Sequence, residues 1–175
     1  MSKKFYLREN DRGGETPFTT SVEVSVDDKN ISFHFECKDS KLYSAGTNYN
    51  DKLYLGDVVE AFICTSTNRR EYFEVEVAPN NTVFFKKIRY YPNEQSVFSV
   101  PLENYVTSSV EVKGNDYSVD FSLPLDKLGY NKENGIWINA FRVETEGGIV
   151  EKNLLSLNPT LRHRFHEPAF FIKIV

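Results

Sequence analysis

Only two of the 175 residues are cysteine, Cys37 and Cys64. That is too few for a disulfide framework, and neither has metal-ligand spacing, so both read as buried free thiols. No apolar run approaches the ~18 residues of a membrane-spanning helix, which argues against a membrane partner. The start, Met1-Ser2-Lys3-Lys4, leads into Phe5-Tyr6-Leu7-Arg8-Glu9 without the apolar stretch of an export leader. As written, the chain is therefore expected to stay in the cytoplasm; a leader already trimmed away would make it a secreted protein. No basic cluster exceeds Lys86-Lys87 with Arg89 and the net charge is -4, so nucleic acid is not expected as a partner. Helical periodicity and internal repeats are also missing.

What remains is strand-forming. Fourteen Phe and ten Tyr stand against nine Gly and seven Pro, a balance that favours strands over helices and argues against disorder. The length fits one domain, residues 1–175, with room for a substantial core. The organising stretch is Leu53 to Pro79, where strands Asp57 to Cys64 and Arg70 to Val77 flank the polar turn 65–69 as a hairpin. In the second strand Phe73, Val75 and Val77 alternate with Tyr72, Glu74 and Glu76, which predicts one buried and one wet face. In the first strand both rows are apolar except for Glu60, so that strand belongs mid-sheet and its acid needs a partner.

Further hairpins are expected from Thr19 to Val26 with Ile31 to Cys37, and from Val106 to Lys113 with Tyr117 to Leu123 about Gly114-Asn115-Asp116. A long polar loop, Asp39 to Asp51, holds Tyr43 and Tyr49. Thr82 to Ile88 is a strand whose Phe84-Phe85 run hints at a bulge or an edge, and residues 89–105 read as irregular. Pro124 to Gly129 predicts a single helical turn, and Ile136 to Glu144 and Phe170 to Val175 are strands. Nine or ten strands at regular spacing give an all-β fold, a two-sheet antiparallel β-sandwich of immunoglobulin-like or jelly-roll-like type.

Several segments resemble one known family. Gly56-Asp57-Val58-Val59-Glu60-Ala61-Phe62-Ile63 and Tyr72-Phe73-Glu74-Val75-Glu76-Val77-Ala78-Pro79-Asn80 are similar to the central hairpin of the family 9 carbohydrate-binding modules and their DOMON-like relatives. Tyr117 to Leu125 resembles the family's strand into an Ile-Pro turn, and Ile138-Asn139-Ala140-Phe141-Arg142 its Asn-aromatic-Tyr-Arg strand. The ending is the most specific: Leu155-Ser156-Leu157-Asn158-Pro159-Thr160, then Phe165-His166-Glu167-Pro168-Ala169-Phe170-Phe171, resembles Ser-x-x-Pro-Thr and Phe-His-x-Pro-x-x-Phe. In order and spacing these cover nearly the whole chain.

The resemblance implies a β-sandwich without catalysis of its own, binding a mono- or oligosaccharide of plant-polysaccharide type such as xylan, often beside a glycoside hydrolase partner in polysaccharide degradation. It implies a sugar end held between two aromatic rings, one of them six residues before the central Glu, at Tyr54. Where the second, usually Trp, is expected, the chain has Leu157, and its one Trp is Trp137; Phe165 or a tyrosine of the 39–51 loop would have to replace it. No cofactor is required. The resemblance does imply structural calcium in the loops, with Asp51 and Asp57, helped by Asn48 or Asn50, as ligands. Haem, bound by some DOMON relatives through Met and His, does not fit a chain whose one Met is Met1.

A pyranose offers apolar C–H patches to aromatic rings and hydroxyls to polar side chains. Glu60, Glu74 and Glu76 with Asn139 and Arg142 are candidates for that polar patch. Equally open is a buried Glu60–Arg142 pair that fixes strand order. Asn139 and Arg142, three residues apart, point to opposite faces, so at most one lines a sugar site. His163 and His166 fit no strong metal motif; His166 and Pro168 read as structural, with His166 satisfying buried backbone groups. No recognisable glycosidase acid pair is present, so intrinsic hydrolysis is not expected, and an interaction module that kept the fold and lost the sugar site is the alternative.

Overall fold

The computed structural model describes residues 2–149 and 151–175; Met1 and Val150 lie outside the described residues. The strands, in chain order, are β1 (Ser2–Tyr6), β2 (Arg8–Glu9), β3 (Thr20–Val26), β4 (Asn30–Cys37), β5 (Val58–Cys64), β6 (Glu71–Val77), β7 (Val83–Tyr91), β8 (Ser96–Pro101), β9 (Thr107–Lys113), β10 (Asp116–Pro124), β11 (Trp137–Glu144), β12 (Asn153–Ser156) and β13 (Ile172–Lys173). One sheet runs β1-β3-β4-β10-β9; the larger runs β2-β12-β11-β5-β6-β7-β8, with β13 also on β11. The strand pairs are antiparallel. This is the two-sheet sandwich expected from the alternation of apolar residues.

Side-chain parity sorts the apolar residues into two cores. Val59, Ala61 and Ile63 of β5, Val75 and Val77 of β6, and Ile138 and Ala140 of β11 face the smaller sheet, meeting Val22, Phe33, Phe35, Val119 and Phe121. The opposite row of the larger sheet is buried as well. Val58, Phe62 and Cys64, with Tyr72, Phe84, Ile88, Phe141 and Val143, form a second cluster closed by Leu53, Phe165 and Phe171. The face of Tyr72, Glu74 and Glu76, expected to be wet, is thus covered: all three residues are buried. The alternation in β6 reports chemistry at a lid, not exposure to solvent.

That lid is the segment 158–171. Phe165 stacks on Phe141 with ring centroids 4.3 Å apart, and His166 lies over Phe62 at 4.9 Å. Asn10 ties the segment to the chain's beginning: its amide donates to Thr160 Oγ1 at 2.9 Å and Arg162 O at 2.6 Å, and its Oδ1 accepts from the Thr160 N–H at 3.1 Å. The long 39–51 loop is equally built in. Asn80 donates to Gly46 O at 2.7 Å, the Phe85 N–H donates to Asn50 Oδ1 at 2.8 Å, and Tyr49 donates to Leu102 O at 2.8 Å. At Gly56 a side chain would meet Ala45 N and Tyr43 O at 2.7 Å, so this close approach of loop to strand requires glycine.

Other expectations shift at the margins. β7 is neither bulged into an edge nor short: it continues to Tyr91 between β6 and β8, and residues 96–101, expected to be irregular, form the edge strand β8. Pro124 to Gly129 is a turn with no helix; Gly129, at φ +62, closes it through hydrogen bonds Gly129 N–H to Asp126 O and Tyr130 N–H to Leu125 O. The closing strand shrinks to β13 behind a 3-10 turn, Pro168–Phe170. Both cysteines are free and buried, and burial pushes the Cys37 thiol up to about 11.

Arg142 joins the two sheets. It sits on the inner face of β11, fully buried, donating to Thr20 Oγ1 at 2.9 Å, Lys38 O at 2.7 Å and Asp39 Oδ2 at 2.7 Å. Its acid partner is Asp39; Glu60 projects from the opposite face, so the Glu60–Arg142 pair does not exist. Removing the guanidinium strands a buried carboxylate, at a cost of about 3–5 kcal/mol. We therefore expect Arg142→Met to lower the unfolding free energy by roughly that amount in urea titration, with the m-value unchanged. A loss under about 1 kcal/mol would mean that the pair does not brace the sheets.

Candidate functional site

Leu53 is fully buried in the outer cluster and pins the 3-10 turn Leu53–Leu55, which turns Tyr54 outward, 41% exposed. Beneath it the strand registers set a row across the sheet: Phe141 opposite Glu60, Glu60 opposite Glu76, Glu76 opposite Phe84. The adjacent row is Phe62, Glu74 and Lys86. Three carboxylates consequently share one patch, each offering an oxygen within 4.8 Å of the others. They line a groove of about 530 Å³ with Tyr54, Phe84, Lys86, Lys152, Phe165 and His166.

The three acids lack counterions at contact. Among the described residues no lysine or arginine nitrogen comes within 4.0 Å of them, and the nearest cationic candidate, His166 Nε2, stands 3.8 Å from Glu74. Glu76 is 1% exposed and its Oε2 has no hydrogen-bond partner among the described residues. The lysines are engaged elsewhere. Lys86 Nζ lies 4.4 Å from the centroid of the Phe84 ring, and Lys152 donates to the Tyr54 carbonyl while lying 5.2 Å from the Tyr54 ring centroid.

Burial dominates the electrostatics. It raises Glu60 well above the usual carboxylate range, with Glu74 adding repulsion, and raises Glu76 likewise, with Glu60 and Glu74 adding to it. Glu74 is pushed up to about 8 by burial, against the pull of Lys86. Burial also holds Lys152 below its ordinary value, opposed by Glu60 and Glu76. His166 is pushed down to about 4 by burial and by Arg164. It is a neutral imidazole, hydrogen-bonded through Nδ1 to the Tyr72 hydroxyl at 2.7 Å. Its buried partner is thus a side-chain hydroxyl, not backbone, and Pro168 opens the 3-10 turn that follows.

The groove therefore collects Tyr54, Glu60, Glu74, Glu76 and Phe165. Asn139 is on the same sheet face but beneath the lid: its amide donates to Asn158 O at 2.8 Å and accepts from the Asn158 N–H at 3.0 Å, fixing the Asn-Pro-Thr turn. Arg142 faces the other way. Asp51 and Asp57 do not share a site. Asp51 accepts from the backbone of Thr47 and Asn48, whereas Asp57 is buried, accepting from the N–H of Tyr43 and from both donors of Thr145. The acids beside Asp57 are Asp39 and Glu144, and Arg142 already engages Asp39. The expected calcium ligand set does not fit this arrangement.

Leu157 packs against the inter-sheet core, and Tyr43 and Tyr49 are not among the groove's lining residues. Lys86, Lys152, Phe84 and Arg164, by contrast, line the groove and carry no motif. The β6–β7 register would have found two of them, since it puts Phe84 opposite Glu76 and Lys86 opposite Glu74.

The family model described as "Carbohydrate family 9 binding domain-like" matches residues 3–174. An "Extracellular protein" of Arthroderma benhamiae is 27% identical over 179 residues, covering 92% of this chain and 80% of its own. The expectation of a cytoplasmic chain finds no support in this relative. A crystal structure of a putative carbohydrate-binding protein from Bacteroides uniformis aligns with TM-score 0.74 at 14% identity, over 95% of this chain and 84% of that one. A family 9 carbohydrate-binding module from Caldicellulosiruptor kristjanssonii in complex with cellotriose aligns with TM-score 0.67 at 14% identity, over 97% and 79% of the two chains. The sandwich fold is common to this chain and these two solved structures.

The acids make stability depend on pH in a defined sense. A native Glu74 holds its proton to about 8, whereas an unfolded glutamate releases it near 4.5, so its stabilising contribution is complete below 4.5 and falls as pH rises towards 8. His166 acts oppositely: with a native value of about 4 against 6.5, it destabilises the fold as pH falls through that interval. Above pH 6.5 only the carboxylate effect of the two remains. The thermal midpoint is expected to decline from pH 6.5 to 8 and to decline less in Glu74→Gln. An equal decline in both proteins would mean that Glu74 does not carry the effect.

Proposed function

Because the chain belongs to the carbohydrate family 9 binding domain-like family, we propose that it binds carbohydrate without catalysis, holding the end of a mono- or oligosaccharide in the Tyr54 groove. One observation carries the reading: an exposed aromatic ring and three hydrogen-bond acceptors converge on a single open concavity. The ring suits the apolar C–H face of a pyranose, and the acids suit its hydroxyl donors. Phe165 and Phe84 also line the groove, though both rings are buried, Phe165 stacked on Phe141 and Phe84 under Lys86. The cellotriose named for the Caldicellulosiruptor kristjanssonii module supports the reading of a sugar of plant-polysaccharide type. Binding in this reading needs no cofactor. We further propose a secreted protein acting beside a glycoside hydrolase on such polysaccharides.

The three acids stand side by side on one sheet face, whereas a glycosidase pair must flank the scissile bond. This supports a binding role. Leu157, where the family carries an aromatic ring, is the one feature that favours an interaction module in its place.

Calorimetric titration with glucose, xylose and short oligosaccharides is expected to give saturable binding that Tyr54→Ala weakens about five- to tenfold. No heat with any of these sugars would favour the interaction module. Reducing-sugar release from a polysaccharide panel would make the protein an enzyme.

A further inference from the structure

The groove floor is chemically lopsided. A neutral sugar hydroxyl both donates and accepts, yet Glu60, Glu74 and Glu76 offer only acceptors when ionised. One oxygen of each lies within 4.8 Å of one oxygen of each of the other two. Three acceptors around one ammonium nitrogen at N–H···O⁻ distances stand about 4.6 Å apart. Glu60 and Glu76 face each other directly across paired strands, so once ionised they would repel; retained protons or a cation placed between them relieves that repulsion.

No lysine or arginine of the described protein comes within 4.0 Å of the acids, although Lys86 and Lys152 line the same groove and act on them at longer range. Lys86 rests on Phe84, Lys152 on Tyr54, and Arg164 is paired with Glu167. His166 is neutral, with its Nδ1 committed to Tyr72. Glu76 Oε2, buried in the groove's lining, has no partner. A carboxylate cluster alone would not identify a ligand, but an orphaned buried oxygen under an open, aromatic-walled groove does point to one. The groups beside the cluster are Phe62, Phe84 and Tyr72, side chains that would give a divalent ion few further oxygen ligands.

We propose that the preferred ligand is an amino sugar, whose protonated amine seats among Glu60, Glu74 and Glu76 while its ring lies against Tyr54. This rests on the carbohydrate-binding reading and names its substrate class. The ammonium supplies three donors to three acceptors and replaces the protons that burial keeps on the cluster. Binding therefore releases protons, which a neutral sugar does not do.

The test is calorimetric titration of the intact protein at about pH 6, where an amino sugar is cationic. The ligands are glucose, glucosamine, N-acetylglucosamine and calcium chloride, each in two buffers of different ionisation heat. Glucosamine is expected to bind at least about tenfold more tightly than glucose or its N-acetyl derivative, with proton release. That advantage should shrink as sodium chloride rises from about 50 to about 500 mM. In Glu76→Gln, whose folding is checked by thermal melting, the glucosamine-to-glucose affinity ratio should fall towards one. Glucose binding with no advantage for glucosamine overturns the amine site and leaves the carbohydrate reading intact. Silence with every sugar removes both. Saturable calcium binding with proton release, and no glucosamine preference, would make the cluster a metal site and overturn the proposal.

Discussion

Two-sided burial of β5 is the constraint on which the rest of the molecule depends. Every residue from Val58 to Cys64 is buried. A strand in that position must have paired strands at both edges and cover on both faces, because none of its backbone polar groups can turn to water. β11 and β6 provide the edges, the smaller sheet covers one face, and the 158–171 segment covers the other. Once both faces are committed, the one acid in the strand has no route to bulk solvent except a gap in the lid. The groove is that gap.

The same constraint explains why the charges divide as they do. Arg142 and Glu60 lie on neighbouring strands near the middle of the same sheet, and opposite parity sends one into the inter-sheet core and the other under the lid. The inward charge meets Asp39, carried in by a loop, together with Thr20 and a backbone carbonyl, so it is neutralised and hydrogen-bonded in place. The outward charges accumulate without such partners. The paired arginine and the unpaired acids of the groove are thus separated by the thickness of one sheet.

Most of the fold was legible because apolar alternation is a local property. The hairpins of β3–β4, β5–β6 and β9–β10 all follow from period-two runs broken by turn residues, and the Gly-terminated turn at 129 was readable as a stop signal. The face of Tyr72, Glu74 and Glu76 was misread because alternation reports polarity, and polarity equals exposure only when nothing packs above it. The lid that does so comes nearly a hundred residues later. Tyr54, Glu60, Glu74, Glu76 and Phe165 were recoverable from sequence since their spacing or motif marks them. Lys86 and Lys152 were not, because a lysine on a strand or loop ordinarily signifies a solvated surface; the β6–β7 register brings Lys86 to the groove, and the bond to the Tyr54 carbonyl brings Lys152. Arg142 was placed on the wrong partner for a related reason: Asp39 sits in a polar loop with no periodicity to show where it docks.

The lid also has a temporal meaning. Residues 158–171 leave the ribosome after every strand except β13, and they are fastened by Asn10, made 150 residues before Thr160. Until that fastening occurs, the nascent sandwich presents the rings of Phe62, Tyr72 and Phe141 and three acids on a bare surface. A protein arrested or clipped shortly before residue 158 would keep nearly all of its strands yet expose this apolar face, a surface of the kind chaperones bind, and would lack the side of the groove that residues 163–166 supply.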